Sequence, residues 1–280
     1  MKAHQKYNQP NETALKKWAQ SIRCNVVKMV ARIGQGYVQQ GLGAADLFTY
    51  LYFAEARMDT NNPNWDERDR IFLSTAHNSA VFHATLAERG LIENSRLETY
   101  THDGSQLEVN VSERLGSLVE ATCGSLGQGL SVAVGVAQSA KRQNREFRTY
   151  VVLGDGELQE GQVWEAAMYA ASNKLDNLCL IVDLNYLQVE GNTNKVMVMD
   201  PVDDKFRAFG WKAEIVDGHN FNDLRKAFKK AHNTTGKPTV ILAKTTVGKG
   251  VPFLENKMSH NMIFPADVAA KCLSILEFDA

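Results

Sequence analysis

A set of short, nearly continuous apolar runs constrains the fold of this chain more than any other feature of its sequence. The runs are rich in β-branched residues and carry almost no alternation of polar and apolar positions. They are Arg70–Ser74, Thr149–Leu153, Leu178–Asp183, Ala213–Val216 and Thr239–Ala243. Continuous apolar runs of this length are typical of strands buried on both faces of a parallel sheet.

Helical patterns separate these strands along most of the chain. The predicted helices are Ala80–Arg89, Gly127–Arg142, Gln162–Lys174, Pro201–Phe209 and Asp223–Ala231. Alternation of strand and helix predicts an α/β fold: a doubly wound, mostly parallel sheet with helices on both faces. Ligands of such sheets bind at the carboxyl ends of the strands.

The remaining segments complete the predicted architecture. Apolar residues at helical spacing predict a helix over Glu12–Ile33, with Asn11 as its cap. A glycine-rich loop over Gly34–Gly43 and a buried helix over Ala44–Ala54 follow. Glu93–Ser125 is a long, weakly periodic segment, and loops of that length are usually functional. We expect residues 1–280 to form one domain, with a C-terminal tail from about residue 251.

Composition excludes several classes of protein. The 280 residues are 44% hydrophobic and 22% charged, which is typical of an ordinary globular protein. The net charge of −1 gives no reason to expect nucleic-acid binding, for which a basic stripe would be typical. The sequence contains no long, uncharged apolar run, so no membrane span is predicted. The N-terminus is polar, without the apolar core of a signal peptide. The scattered cysteines predict reduced thiols and a cytoplasmic location.

The sharpest local feature is the run from Gly154 to Glu157, Gly-Asp-Gly-Glu, between a predicted strand and a predicted helix. The glycines permit a tight turn and let an anion approach backbone N–H groups, and the helix that follows directs its positive end there. Asp155 ends one strand and Asn185 ends the next. With the Leu187 carbonyl, two phosphate oxygens and a water, these oxygens would make the six-oxygen shell that Mg²⁺ prefers.

This run has two other interpretations. Gly-Asp-Gly by itself would indicate only a turn in most proteins. A nicotinamide-binding Rossmann site requires a further glycine at a fixed offset and opens the first strand of the sheet, whereas this run follows a later strand. The placement of Asn185 at the neighbouring strand end favours the metal and diphosphate interpretation.

Gly-Asp-Gly followed by Asn185, with residues 157–184 between them, is the thiamine-diphosphate signature, and the chain resembles transketolase. The resemblance extends over nearly the whole sequence, with the motifs in the family's order. They include Leu42–Asp46 (LGAAD), Asp69–Ser74 (DRIFLS), Gly124–Gly129 (GSLGQG) and the segment from Lys244 to His260.

The resemblance implies roles for individual residues. Asp155, Asn185 and the Leu187 carbonyl resemble the Mg²⁺ ligands. Contacts to thiamine diphosphate are implied for Gly154, Gly156, Glu157, Asn185, His77 and His260, with the backbone of Gly124 and Leu126 meeting the aminopyrimidine. Catalytic roles are implied for His260, His77 and Glu160, the last as a carboxylate between paired active sites. Two alternatives stay open: His77 could be a strand-end histidine satisfied by backbone, and His260 a solvated tail residue.

Two positions depart from the family's pattern. Tyr37 stands where the family has a histidine that contacts the donor sugar, and Asn110 stands where a second histidine bonds the donor's terminal hydroxymethyl group. Asn110 can still form hydrogen bonds but cannot carry charge. Both are therefore candidate substrate residues, and the donor of this chain is expected to differ from an ordinary sugar phosphate.

The resemblance implies thiamine-diphosphate- and Mg²⁺-dependent transfer of a two-carbon ketol unit from a ketose-type donor to an aldehyde. The chain stops at Ala280, after the family's first domain. A C-terminal subunit is thus expected to supply the pyrimidine-binding domain and the catalytic glutamate, in a heterotetramer of two plus two; a piece of a longer chain is the alternative. Acyl transfer from a 2-oxo acid with decarboxylation, and a non-catalytic subunit, are the other functional hypotheses.

Overall fold

The computed structural model of the chain describes residues 10–257 and 260–278, so both ends of the predicted domain, residues 1–9 and 279–280, lie outside the described residues. The helices are α1 (Glu12–Ile33), α2 (Val38–Tyr50), α3 (Ser79–Glu88), α4 (Gln128–Arg142), α5 (Gly161–Ser172), α6 (Thr193–Val196), α7 (Val202–Ala208), α8 (Phe221–Asn233) and α9 (Ala266–Phe278). The strands are β1 (Gln35–Gly36), β2 (Arg70–Leu73), β3 (Thr149–Gly154), β4 (Leu178–Leu184), β5 (Leu187–Gln188), β6 (Gly191–Asn192), β7 (Lys212–Asp217), β8 (Thr239–Lys244) and β9 (Met262–Ile263).

The central sheet has the strand order β2-β3-β4-β8-β7, and all of its neighbouring strands are parallel. Successive side chains of a strand point to opposite faces, and the two faces pack into two separate hydrophobic clusters. Tyr150 and Val152 of β3 belong to one cluster, whereas Val151 and Leu153 belong to the other. The predicted strands and the doubly wound parallel sheet are confirmed.

Helices cover both faces of this sheet. Buried residues of α1, α2, α3, α8 and α9 form one layer with the first cluster, and buried residues of α4, α5 and α7 form the opposite layer with the second. The first helix has the predicted bounds: Asn11 Oδ1 accepts from the Ala14 N–H at 2.8 Å, and Gly34 ends the helix with a left-handed φ of 78°.

The glycine-rich segment differs from the prediction. The predicted loop over Gly34–Gly43 is wrong, because α2 already begins at Val38; it ends at Tyr50 and continues as a π-helical turn over Leu51–Glu55. A Cβ on Gly41 would lie 2.9 Å from a Val26 methyl group, and one on Gly43 would lie 2.8 Å from the Thr246 carbonyl oxygen. These glycines therefore permit close packing of a helix instead of a turn.

The long segment over residues 93–125 contains only short 3₁₀ turns, at Asn94–Thr99 and Glu113–Leu118. It is held to the sheet layer by its own apolar residues and by polar contacts: Leu107 is fully buried, and Arg68 donates to the Ser117 carbonyl at 2.7 Å. This packing fixes the segment in place, and two of its residues, Asn110 and Gly124, lie near the carboxyl ends of β3 and β4.

The segment after Val251 carries elements that the sequence did not predict. β9 pairs antiparallel with β1, and α9 packs on α1 through the buried Cys272 and Leu276. This return of the chain brings His260 beside the beginning of α2. Among the helices in the described part of the chain, none has the length and the apolar character needed to cross a membrane.

Candidate functional site

Two strands of the sheet end side by side. β3 and β4 pair in register up to Gly154 and Asp183, so the residues that follow them, Asp155 and Asn185, leave the sheet at the same edge. The backbone turns at once into a 3₁₀ segment over Gly156–Gln159, and α5 begins at Gly161. The start of a helix therefore lies directly beside both polar strand ends.

A cavity of about 420 Å³ opens at this edge. It brings together every residue that the sequence predicted for the site, including those from loops far apart in the chain. The predicted residues that line it are Tyr37, His77, Asn110, Gly124, Leu126, Gly154, Asp155, Gly156, Glu157, Glu160, Asn185, Leu187 and His260. Their roles remain predictions, but their proximity is a property of the structure.

Asp155 lies in the wall of the cavity with a second carboxyl group behind it. Its Oδ1 accepts from the Gly156 N–H at 2.8 Å and its Oδ2 from the Tyr186 N–H at 2.6 Å. Burial raises the pKa of Asp155 to about 7, and the neighbouring Asp183 carboxyl adds to the rise. Burial raises the pKa of Asp183 as well. A cation facing this pair would favour the charged form of the carboxyls.

Asn185 is oriented by its neighbours. Its Nδ2 donates to Asp183 Oδ2 at 3.3 Å, and its Oδ1 accepts from the Leu187 N–H at 3.0 Å. Between them, Tyr186 has a φ of 61°, a left-handed conformation that is unfavourable for a bulky residue and is concentrated at functional sites. This conformation lets the chain turn at the strand end and donate its N–H to Asp155.

Glu157 connects three elements beneath the cavity. Its Oε1 accepts from the Gly127 N–H at 2.7 Å and from the Ser74 hydroxyl, and its Oε2 accepts from the Gly154 N–H at 3.3 Å. Burial raises the pKa of this carboxyl, while these hydrogen bonds favour its charged form. The side chain thus fixes the ends of β2 and β3 against the start of α4.

An aromatic cluster occupies another part of the cavity wall. The ring centroids of Tyr37, His77 and His260 lie 5.1–5.4 Å from one another. Burial, with a contribution from His260, lowers the pKa of His77 to about 4, and burial lowers the pKa of His260. Both imidazoles are therefore neutral at pH 7. His77 contacts the Thr75 hydroxyl, and His260 lies in the cavity wall instead of a solvated tail.

Several residues that line the cavity were not predicted from the sequence. Gln40 lies one helical turn after Tyr37, and its Nε2 is 3.3 Å from His260 Nδ1. An amide NH₂ only donates, so in this orientation of the Gln40 carboxamide the Nδ1 of a neutral His260 ring is the acceptor. Asn78 follows His77 directly, and Asp183 lies two residues before Asn185. Adjacency to predicted site residues was the signal that could have identified them.

The donor set restricts the cations that fit. Within residues 10–257 and 260–278, no group of three or more His, Cys, Asp or Glu side chains is placed to hold a metal ion. The Asp155 carboxylate instead shares the cavity with the Asn185 amide and with Leu187, whose oxygens are hard ligands suited to Mg²⁺ with waters or phosphate oxygens completing the shell.

The fold and this cavity define a class of α/β proteins with a polar cavity at the ends of paired parallel strands, and comparison with known proteins identifies the class. Residues 14–279 match the family described as transketolase, thiamine diphosphate binding domain. The chain therefore belongs to this family.

The relatives fall into two size groups. The chain is 37% identical over 260 residues to the 6-deoxy-6-sulfo-D-fructose transketolase subunit SqwG of a Clostridium species, covering 92% of this chain and 94% of that protein. It is 38% identical to one of the subunits of the apulose-4-phosphate transketolase of Actinobacillus succinogenes, covering 87% and 88%. Human transketolase is 34% identical, but the match covers 98% of this chain and 44% of the human protein.

A solved structure agrees with this assignment. Transketolase from Campylobacter jejuni superposes with a TM-score of 0.88 at 30% identity, over 96% of this chain and 43% of that chain. The chain thus spans less than half the length of the single-chain transketolases but nearly all of the separately encoded subunits.

Proposed function

We propose that this chain is the diphosphate-binding subunit of a two-chain transketolase-like enzyme, which transfers a two-carbon ketol unit from a ketose donor to an aldehyde acceptor. The observation that supports this most is the convergence of Asp155, Asn185, His77 and His260 on one cavity in a chain of this family. The length match to separately encoded subunits supports the division into two chains.

The residues present fit Mg²⁺. Asp155 and Asp183 are 4% and 2% exposed, and both line the cavity, so a divalent cation bound there would favour the charged forms of the two buried carboxyl groups. The carboxylate of Asp155, Oδ1 of Asn185 and the carbonyl of Leu187 would hold the ion. The carboxyl of Asp183 would orient Asn185 by accepting a hydrogen bond from its Nδ2.

The same edge of the sheet fits thiamine diphosphate. The diphosphate would lie against Gly156, whose N–H donates to Asp155 Oδ1 in this structure, and against His77 and His260, near the start of the helical segment that follows Asp155. Gly154 and Glu157 shape this turn, and Gly124 and Leu126 would face the aminopyrimidine. Bound thiamine diphosphate supplies a nucleophilic carbon that can attack a ketose carbonyl and stabilise the transferred two-carbon unit.

The protein residues supply orientation and proton positions. The pKa values of His77 and His260 are lowered, so the neutral imidazoles offer hydrogen bonds to a hydroxyl or carbonyl group of the substrate. Gln40 contacts Nδ1 of His260, which leaves Nε2 of that ring to face the substrate. We assign His77 and His260 as the catalytic histidines of this chain.

The partner would complete the site from the open side. Glu160 lines the cavity yet is exposed, as expected for a carboxylate that meets a second chain. Exposed apolar side chains continue from the cavity rim along α4 and α5: Leu126, Val132, Met168 and Tyr169. We propose that this face receives the C-terminal subunit, which supplies the pyrimidine-binding domain and its glutamate, in an assembly of two plus two chains.

A 2-oxo acid donor is the second candidate, because Tyr37 and Asn110 line the cavity where the family has histidines. Its carboxylate would need a cationic partner. Among the described residues that line the cavity there is no lysine or arginine, and both histidines are neutral at pH 7. The side chains that this chain contributes to the cavity therefore favour a hydroxylated ketose as the donor.

Coexpression with the candidate C-terminal subunit tests the proposal. The purified complex, supplied with thiamine diphosphate and Mg²⁺, is offered fructose 6-phosphate, xylulose 5-phosphate, 6-deoxy-6-sulfofructose and pyruvate with an aldehyde acceptor. We expect ketol transfer from at least one ketose and little turnover of pyruvate. Carbon dioxide release from pyruvate without ketol transfer would support the second candidate and contradict the first.

A further inference from the structure

Asn78 lines the cavity and carries a buried polar atom to which no described residue of the fold forms a hydrogen bond. It follows His77 and stands at the N-terminus of α3. The residue is 2% exposed, it lines the cavity, and its Oδ1 is buried without a hydrogen-bond partner among the described residues.

The usual local role of such a side chain is absent at Asn78. Asparagine is favoured at helix N-termini because its side-chain oxygen accepts a hydrogen bond from an N–H of the first turn. Asn78 makes no such bond in α3, although its backbone N–H donates to the Thr75 carbonyl at 3.0 Å. A buried acceptor without a donor destabilises a protein, and such exceptions are concentrated where a ligand is met.

The surroundings of Asn78 indicate which kind of group would donate to it. The neighbouring wall contains Tyr37, His77 and His260, and two further carboxamides, Gln40 and Asn110, line the same cavity. This part of the wall has several neutral hydrogen-bonding groups, and the carboxyl of Glu190 also lines the cavity. Neutral donors and acceptors in this density suit the hydroxyl groups of a sugar more than a free carboxylate.

We infer that Asn78 is a specificity-determining residue whose Oδ1 accepts a hydrogen bond from a hydroxyl group of the ketose donor. This inference rests on the proposed function and names a contact that neither the predicted site nor its resemblance to the family assigns. A site that hydrogen-bonds a substrate hydroxyl discriminates strongly against donors that lack it, because its buried acceptor is then left unpaired.

The test uses Asn78→Ala and Asn78→Leu in the assembled enzyme, the latter to keep most of the side-chain volume. The donor is whichever of fructose 6-phosphate and 6-deoxy-6-sulfofructose the wild-type complex uses better. We expect both variants to raise the donor KM by about tenfold, with a smaller change in kcat and no change in the Kd for thiamine diphosphate. The thermal midpoint of the subunit should not fall, since an unpaired buried acceptor has been removed.

Asn177→Ala is the matched control. Its Oδ1 is also buried without a partner among the described residues, but its Nδ2 donates to the Ala137 carbonyl at 2.9 Å, and it lies outside the cavity wall. This variant should lower the thermal midpoint and leave the donor KM unchanged.

Three results would overturn the inference. An unchanged donor KM with a lowered thermal midpoint in both Asn78 variants would show a structural role. Weakened thiamine diphosphate binding with an unchanged donor KM would show a cofactor contact. Absence of ketol transfer by the wild-type complex would overturn the proposed function and this inference with it, whereas normal wild-type turnover with an unaffected KM would overturn this inference alone.

Discussion

Asp155 is the residue on which the proposed metal site depends most. Asp155→Ala removes the anionic ligand and leaves the diphosphate facing a weakened cation site, so we expect affinity for thiamine diphosphate with Mg²⁺ to fall by at least about 100-fold. Asn185→Ala removes one neutral oxygen and should weaken binding by about tenfold. Calorimetry on the assembled enzyme measures both. Asp204→Ala, in the exposed pair with Arg207 on α7, is the control. Wild-type affinity in both site variants would exclude the metal assignment.

Tyr37 and Asn110 are the residues expected to set the choice of donor. A histidine pair offers a donor, an acceptor and a proton that shifts near neutral pH, whereas tyrosine and asparagine offer neutral hydrogen bonds and an aromatic wall. We expect poor wild-type turnover of xylulose 5-phosphate and a gain of about tenfold in kcat/KM in the Tyr37→His/Asn110→His double variant.

Ile215→His, on the exposed surface of the edge strand β7, is the control for this double variant, because it introduces a histidine away from the cavity wall and from the proposed interface. Efficient turnover of xylulose 5-phosphate by the wild-type enzyme, insensitive to both cavity substitutions, would show that these two positions do not select the donor.

At the scale of elements, α2 depends on close approach to the loop after β8. Gly43→Ala would place a Cβ 2.8 Å from the Thr246 carbonyl oxygen, a backbone atom that cannot move aside, so we expect a loss of about 1–3 kcal/mol in the free energy of unfolding. Gly135→Ala on the exposed face of α4 meets no atom within 4 Å and should stabilise the helix by about 0.5–1 kcal/mol. Urea unfolding of the isolated chain measures both, and equal stability changes would contradict the packing described.

The elements also show where sequence reasoning succeeds. The sheet strands were predicted because continuous β-branched runs have few alternatives to a doubly buried strand, and Asp155 and Asn185 were placed by their position at adjacent strand ends. Gly41 and Gly43 misled the prediction, because a glycine that permits helix packing cannot be distinguished locally from one that forms a turn. β9 was missed because so short a strand is specified by its distant partner, β1.

The cavity shows the same division between residues that the sequence predicts and residues that the fold reveals. Residues in motifs could be predicted, because the motif fixes the spacing of polar groups around a strand end. Asn78 and Gln40 lie near His77 and Tyr37 in the sequence, but that signal is weak, since a carboxamide at a helix start usually caps or faces solvent, and the fold is what places these two in the cavity wall. The carboxyl pair of Asp155 and Asp183 likewise required the register of two strands.

At the scale of the whole molecule, the exposed apolar face of α4 and α5 should be an interface. Assemblies of this kind bury more than roughly 2,000 Å². Tyr169→Glu places a charge in that face, and we expect it to weaken association with the C-terminal partner by about 100-fold in ultracentrifugation. Ile215→Glu, on the exposed surface of the edge strand β7, should have little effect. Unimpaired association of the Tyr169 variant would place the interface elsewhere.

In the proposed enzyme, this chain holds the diphosphate end of a cofactor whose site a second chain completes. A calorimetric titration tests this central claim directly. Thiamine diphosphate with Mg²⁺ is titrated into the isolated chain and, separately, into the chain together with its partner. We expect strong binding only when both chains are present, and its loss in the complex that carries Asp155→Ala. Equally tight binding to the isolated chain, or tight binding to the Asp155→Ala complex, would contradict the claim.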